Sequence, residues 1–196
     1  MLDQLIAYIA SYSGQSLLPS EIDLVNSMFR VKKLRKKQYL LQAGDVGVHY
    51  AFIVKGAMRQ YAVCDNGTDS IIQLGIENWW IGDRESFVSS KPSLYNIDAW
   101  EDCELNVITR AQTLELIDQS PAFCKMVRIM DERNAIAAQK RITALINFTA
   151  EQRYSFFLEN HPFFLQRFPL HMVASYLGVT KETLSRVRTS AAGKES

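Results

Sequence analysis

Histidine and cysteine are scarce in this chain, three of each in 196 residues, and that scarcity excludes several chemistries. Cys64, Cys103 and Cys124 are widely spaced with no Cys-x-x-Cys pair. Neither a disulfide framework nor a zinc or iron–sulfur cluster is therefore expected, and a reducing cytoplasm fits the usage. A metal-dependent enzyme built on a β-barrel needs His and carboxylate ligands converging inside it. Here His49 stands alone in the β-rich segment, without a second His two residues on. Net charge is lacking too: 22 Lys and Arg against 21 Asp and Glu leave +1, too little for any global attraction to nucleic acid. No apolar run reaches the length that spans a bilayer, so no membrane is expected. The opening MLDQLIAYIASYSG carries Asp3 and lacks the basic start and small-residue cleavage site of a secretory signal, so it reads as a surface helix.

What is present is a change of period along the chain. Residues Met1 to Phe29 read as helical, with Ser20 as a cap before Ile22, Val25, Met28 and Phe29. From Val31 short β-rich stretches follow: QYLLQ, YAFIVKG, AMRQYAVC, DSIIQLG, NWWIG and ELNVIT. Turn signals separate them at Ala43-Gly44-Asp45, Asp65-Asn66-Gly67 and Lys91-Pro92-Ser93. Asn66-Gly67 is the strongest hairpin signal, and Gly56 marks a further bend or bulge. Many short strands at regular spacing predict an eight-stranded jelly roll of about a hundred residues, with room for a small ligand. The basic run Lys32 to Lys37 precedes the apolar YLL and reads as a solvated strand edge, with a phosphate-binding patch as the minority reading.

After Pro121 the helical period returns and runs to Asn147. Its apolar residues cover more than one face, so one side is expected on the β-roll and the other against the same helix of a second copy. Arg133, Asn134, Lys140 and Arg141 break the heptad, so no clean coiled-coil seam is expected. Thr149 then caps one more helix, ending before Pro162.

The stretch LHMVASYLGVTKETLSRVRTS, Leu170 to Ser190, joins two short amphipathic pieces at a single glycine. Val173, Ala174 and Leu177 share one face, Gly178 ends the first helix, and Thr180 caps a second whose Leu184 and Val187 point inward. This is helix-turn-helix spacing. Lys181, Glu182, Ser185, Arg186 and Thr189 are left on one outward polar face, and Arg188 adds to the local basic balance. Arg and Lys suit guanine edges and phosphates, Glu can accept from cytosine, and Ser can reach phosphate or base.

The segment VASYLGVTKETLSRVR, with FIVKGAMRQY and with WIGD before a DCEL strand, resembles the CRP/FNR superfamily of transcription regulators over nearly the whole chain. The resemblance implies an α+β fold: an N-terminal jelly roll like a cyclic-nucleotide-binding domain, a long dimerisation helix and a C-terminal winged-helix-like helix-turn-helix whose wing is short or absent. The implied division is a sensor over 1–120, a dimerisation helix over 121–147 and a DNA-binding domain over 148–196. It further implies a bacterial, cytoplasmic homodimer, not an enzyme, with double-stranded DNA and RNA polymerase as partners. Thr180, Lys181, Glu182, Ser185, Arg186, Arg188 and Thr189 become the DNA-binding residues.

Gly82, Asp83, Arg84, Ser93 and Leu94 are the residues that the resemblance places at a ligand pocket. Gly82 and Asp83 match the start of the family's phosphate cradle, with Asp for Glu. The buried cyclic phosphate needs a guanidinium, and the position expected to hold it is Ser93, followed by Leu94. Cyclic AMP is therefore disfavoured and no cofactor is required. A haem sensor would have only His49, Cys64 and Cys103 to offer as axial ligands. Trp79, Trp80, Tyr95 and Trp100 leave room for another, more apolar effector, or serve simply as core aromatics. A ligand-binding sensor or adaptor without DNA binding is the competing reading.

Overall fold

A computed structural model describes residues 2–192, except for the side chains of 191 and 192. Two helices open the chain, α1 (Asp3–Ser13) and α2 (Pro19–Met28). The cap of α2 falls on Leu18 rather than on Ser20: Pro19 occupies the first helical position, where no amide donor is needed. The Glu21 carboxylate reaches back to accept from the Leu18 amide at 2.9 Å.

Eight strands follow: β1 (Arg30–Leu34), β2 (Tyr39–Leu41), β3 (His49–Lys55), β4 (Met58–Val63), β5 (Asp69–Gly75), β6 (Trp80–Ile81), β7 (Asn96–Ala99) and β8 (Cys103–Thr109). The short helix α3 (Arg84–Ser89) lies between β6 and β7. The strands form two antiparallel four-stranded sheets, in the orders β1-β8-β3-β6 and β2-β7-β4-β5. Ile53, Met58, Ile81, Ile97 and Leu105 fill the space between them. This is the expected jelly roll.

Lys32 and Lys33 lie on β1, an edge strand, and the Lys33 ammonium pairs with Glu104 at 2.9 Å. The β4–β5 hairpin turns at Asn66-Gly67, yet only Gly67 adopts a positive φ, +78°. The Asn66 side chain instead accepts from the Thr68 amide at 3.0 Å, giving a longer loop than a two-residue turn. Gly56, at φ +97°, lies so close to Asp102 and Cys103 that no Cβ fits between them.

The rest is helical: α4 (Arg110–Gln119), α5 (Pro121–Asn147), α6 (Ala150–Asn160), α7 (Phe164–Arg167), α8 (Leu170–Leu177) and α9 (Lys181–Ala192). At the junction of α4 and α5, Ser120 caps the Phe123 amide. Glu21 accepts from the Ser120 hydroxyl at 2.6 Å and from the Ala122 amide at 3.1 Å. A buried carboxylate thus pins α2 to the start of α5, where the helix dipole favours negative charge.

The first half of α5 buries Ala122, Phe123, Met126 and Met130 in a core shared with α1 and α2. Its second half is different: every residue from Glu132 to Lys140 is exposed, as are Ile142 and Ile146. The C-terminal bundle has its own core of Tyr154, Phe157, Phe164, Met172, Leu177 and Leu184, continuous with Tyr61, Ile71 and Leu74 of the roll. Any wing formed around Lys194 and Glu195 lies outside the described residues.

Candidate functional site

The α8–α9 hairpin folds around small and apolar residues. Ala174 and Val173 are buried on α8, Leu184 and Val187 on α9. Gly178 ends α8 at φ +66°, and the amide of Val179 donates back to the Ala174 carbonyl at 3.0 Å. Only a residue without a Cβ takes that left-handed conformation cheaply. The Thr180 hydroxyl then accepts from the Thr183 amide at 3.2 Å and starts α9.

The seven residues singled out for nucleic acid are brought together on this element. Thr180, Lys181, Glu182, Ser185, Arg186, Arg188 and Thr189 are all exposed. Lys181, Glu182, Ser185, Arg186 and Thr189 follow the i, i+3, i+4 rows of one helix face. The backbone at the helix start and the Thr180 hydroxyl, with Lys181 and Arg186 nearby, hold the Glu182 carboxyl below its usual range. It is therefore an ionised acceptor set between two cations. Its neighbour Thr189 returns its hydroxyl to the Ser185 carbonyl at 3.1 Å.

How this hairpin is held was not readable from the sequence. Ser175 on α8 accepts from the Ile71 amide at 2.9 Å and donates to the Asp69 carbonyl at 3.0 Å, along the open side of β5. Arg141 of α5 donates to the carbonyls of Ile71, Ile72 and Tyr176. Arg153 of α6 donates to the carbonyls of Leu177 and Gly178, at 2.9 and 3.3 Å. Arg167 closes on Glu77 and Glu101 together. The edge of the roll, α5 and α6 are thereby hydrogen-bonded to α8 and to the turn that leads into α9.

The residues expected at a ligand pocket are not gathered in one place. Gly82 and Arg84 line a cleft of about 560 Å³ between the roll and α5, together with Gln60, Trp80 and Tyr176. A Cβ on Gly82 would run into the Tyr50 ring, so the glycine is needed for packing. Asp83 is buried and caps α3 through the Glu85 amide. Arg84 is engaged by Asp131 of α5. Ser93 is buried and exchanges both its hydroxyl bonds with the Tyr95 backbone, while Leu94 is 76% exposed.

At the cradle positions themselves a cyclic phosphate would find Arg84 paired with Asp131 and a serine where the family's arginine is expected, although Arg133 and Arg141 line the same cleft. The three haem-ligand candidates do not converge either. Cys64 is exposed, and Cys103 is a buried thiol pushed up to about 12 by burial and by Glu101, while its neighbours are the Ala57 and Glu101 carbonyls. Burial and Lys32 lower the His49 imidazole's basicity. Among the described residues no group of three or more His, Cys, Asp or Glu is placed to hold a metal ion. No helix among them is long and apolar enough to cross a membrane.

Residues 31–120, the roll and α4, match the cyclic nucleotide-binding domain family. The chain is 26% identical to the transcriptional activator protein anr of Pseudomonas aeruginosa, covering 92% of this chain and 81% of that one. These similarities support a transcription regulator of the CRP/FNR type. Two solved structures share the fold. FixK2 from Bradyrhizobium japonicum has a TM-score of 0.72 at 17% identity, over 85% of this chain and 86% of its own. The Thermus thermophilus catabolite activator protein has 0.57 at 22%, over 93% and 87%. CRP/FNR regulators bind DNA and are dimeric, and the relatives are regulators rather than enzymes.

Proposed function

We propose that this regulator reads double-stranded DNA as a homodimer through α9, with Lys181, Glu182, Ser185 and Arg186 at base edges and Thr180, Arg188 and Thr189 on the backbone. The observation that carries this reading is the outward face of α9: exposed, polar, with an ionised Glu182 between Lys181 and Arg186, on a hairpin whose other face is fully packed. A merely structural hairpin needs only the packed side.

Pairing is assigned to the second half of α5, where Ile142 and Ile146 are 57% and 73% exposed. Two copies joined there would set two α9 helices in successive major grooves about 34 Å apart on a pseudo-palindromic site. In this reading 1–120 is the sensor, 121–147 the pairing helix and 148–196 the DNA-binding unit. It works in the cytoplasm, where RNA polymerase is a partner. An effector in the roll–α5 cleft would shift the pairing of the long helices and with it the spacing of the readers. A cyclic nucleotide is disfavoured as that effector by the commitments of Arg84 and Ser93.

The test is selection of bound DNA from a random pool, then gel-shift titration of Arg186→Ala and Glu182→Ala on the selected site. Each good bidentate contact is worth about 1–3 kcal/mol of discrimination. Loss or re-specification of binding by these variants supports the reading face. Unchanged binding by both refutes it, and a chain that selects no DNA at all is a sensor or adaptor instead.

A further inference from the structure

We propose that the cavity where α5 crosses the C-terminal bundle binds a small organic anion carrying an aromatic ring. The cavity measures about 390 Å³. It is walled by rings from three elements and a loop: Trp79 from the roll, Phe156 and Phe157 from α6, Tyr176 from α8 and His161 beyond α6. His161 stacks on Phe164 with centroids 4.9 Å apart and meets Trp79 edge-on. Burial and the neighbouring Arg141 keep its imidazole neutral, so it adds to the aromatic wall.

The charge of the cavity is one-sided. Arg133, Lys140, Arg141 and Arg153 line it, and none of the described lining residues is an aspartate or glutamate. Arg141 and Arg153 donate to backbone carbonyls, and Arg141 also lies 4.1 Å over the Tyr176 ring, so no carboxylate among the described residues compensates either charge. Lys140 has no ion-pair partner among the described residues. Five buried side-chain polar atoms in the described residues lack a hydrogen-bond partner, and three of them belong to residues of this cavity: Nε of Arg141, Nε of Arg153 and Nδ1 of His161. Native folds leave few such groups without a reason. A carboxylate or phosphate supplies the missing charge, and a flat ring suits the aromatic wall.

The cavity is separate from the residues of the family's phosphate cradle, since none of Gly82, Asp83, Arg84, Ser93 or Leu94 lines it. Its α5 wall lies mostly opposite the pairing face, reaching toward it only at Leu145, about 60° round the helix from Ile142. Ile142 and Ile146 are each two residues from the cavity-lining Ala144, about 160° round the helix. Arg141 and Arg153 hold the carbonyls of Tyr176, Leu177 and Gly178, the turn that leads into α9. An anion attracted to these two guanidinium groups therefore acts one side chain away from the reader helix.

The test is calorimetric titration of the full chain, without DNA, so that its outcome is independent of the DNA-reading assignment. The probes are indole-3-acetate and adenosine 5′-phosphate as ring-bearing anions, with tryptophol as the uncharged ring and acetate as the bare anion. At least one ring-bearing anion is expected to bind once per chain, and tryptophol and acetate about tenfold or more weaker. Lys140→Glu should weaken the anion about tenfold or more, whereas Lys125→Glu, the same charge change on an exposed position far along α5, should leave it unchanged. Equal melting temperatures of the two variants keep the comparison free of misfolding. Failure of both ring-bearing anions at millimolar concentration, equal binding of tryptophol, or indifference to Lys140→Glu overturns the proposal.

Discussion

Arg167 and Glu77 stand ninety residues apart in the chain and are joined by two hydrogen bonds, of 2.9 and 3.1 Å. The same guanidinium takes Glu101 at 2.9 and 2.6 Å, and the Trp100 indole donates to the Arg167 carbonyl at 3.1 Å. One arginine on a four-residue helix thus fastens the C-terminal bundle to two loops of the roll.

Removing it as Arg167→Ala should cost about 1–2 kcal/mol, since the side chain is 28% exposed and solvent screens part of the gain. Urea midpoints give the measurement. The variant should also change the acid response. Burial pushes the Glu77 carboxyl up, but Arg167 and the Gly56 amide outweigh it and hold the group below its ordinary value of 4.5. A depressed folded value means that this stability is fully present above about pH 4.5 and fades as pH falls through the folded value. The fall should be shallower in Arg167→Ala than in the parent, and an identical acid profile would remove Glu77 from the account.

Glu21 is the buried carboxylate with most to lose, at 6% exposure and with Leu18, Ser120 and Ala122 all donating to it. Glu21→Ala strands three donors and should destabilise by about 2–3 kcal/mol. Glu21→Gln keeps an acceptor oxygen and should recover roughly half of that. Thermal melts of the pair separate the hydrogen bonds from the packing.

Ile142→Glu with Ile146→Glu should convert a dimer to a monomer, read by sedimentation equilibrium. Neither side chain is buried within one chain, so the double variant should melt within about 1 kcal/mol of the parent once the concentration dependence of the dimer is allowed for. Specific DNA affinity should fall with the dimer, because half-site binding is much weaker than paired binding. A variant that stays dimeric moves the pairing face elsewhere.

Gly178 and Gly14 share nearly the same backbone angle, φ +66° and +68°, but not the same surroundings. A Cβ on Gly14 meets nothing within 4 Å, so Gly14→Ala should cost only the strain of the left-handed conformation, about 1 kcal/mol. A Cβ on Gly178 comes within 3.1 Å of Leu145 and 3.3 Å of Arg153. Gly178→Ala should cost more than Gly14→Ala in denaturant titration, and it should perturb DNA binding while Gly14→Ala does not.

Most of the roll was legible because short β-rich runs stand between turn residues, but β7, Asn-Ile-Asp-Ala, is too short and mixed to stand out. The α8–α9 hairpin was legible because Ala174, Gly178 and Leu184 have one job each at fixed spacing. Ser20 misled, since a good capping residue one place late looks the same as one in register until Pro19 takes the first helical position. Arg167 gave no signal at all: it sits in FLQRFP with no periodicity, and its partners Glu77 and Glu101 come from loops 24 residues apart. Electrostatic contacts between distant loops have no local pattern, and neither do the cations that α5, α6 and α8 bring around one cavity.

β5 is the last strand of its sheet, and a terminal strand normally offers its free backbone groups to any passing chain. Here Ser175 takes the Ile71 amide and Arg141 takes the Ile71 and Ile72 carbonyls, so the segments that position the reader also seal that border. A roll separated from its helices would leave the border raw. Cut away from α5 and α8, the roll is therefore expected to self-associate through β5.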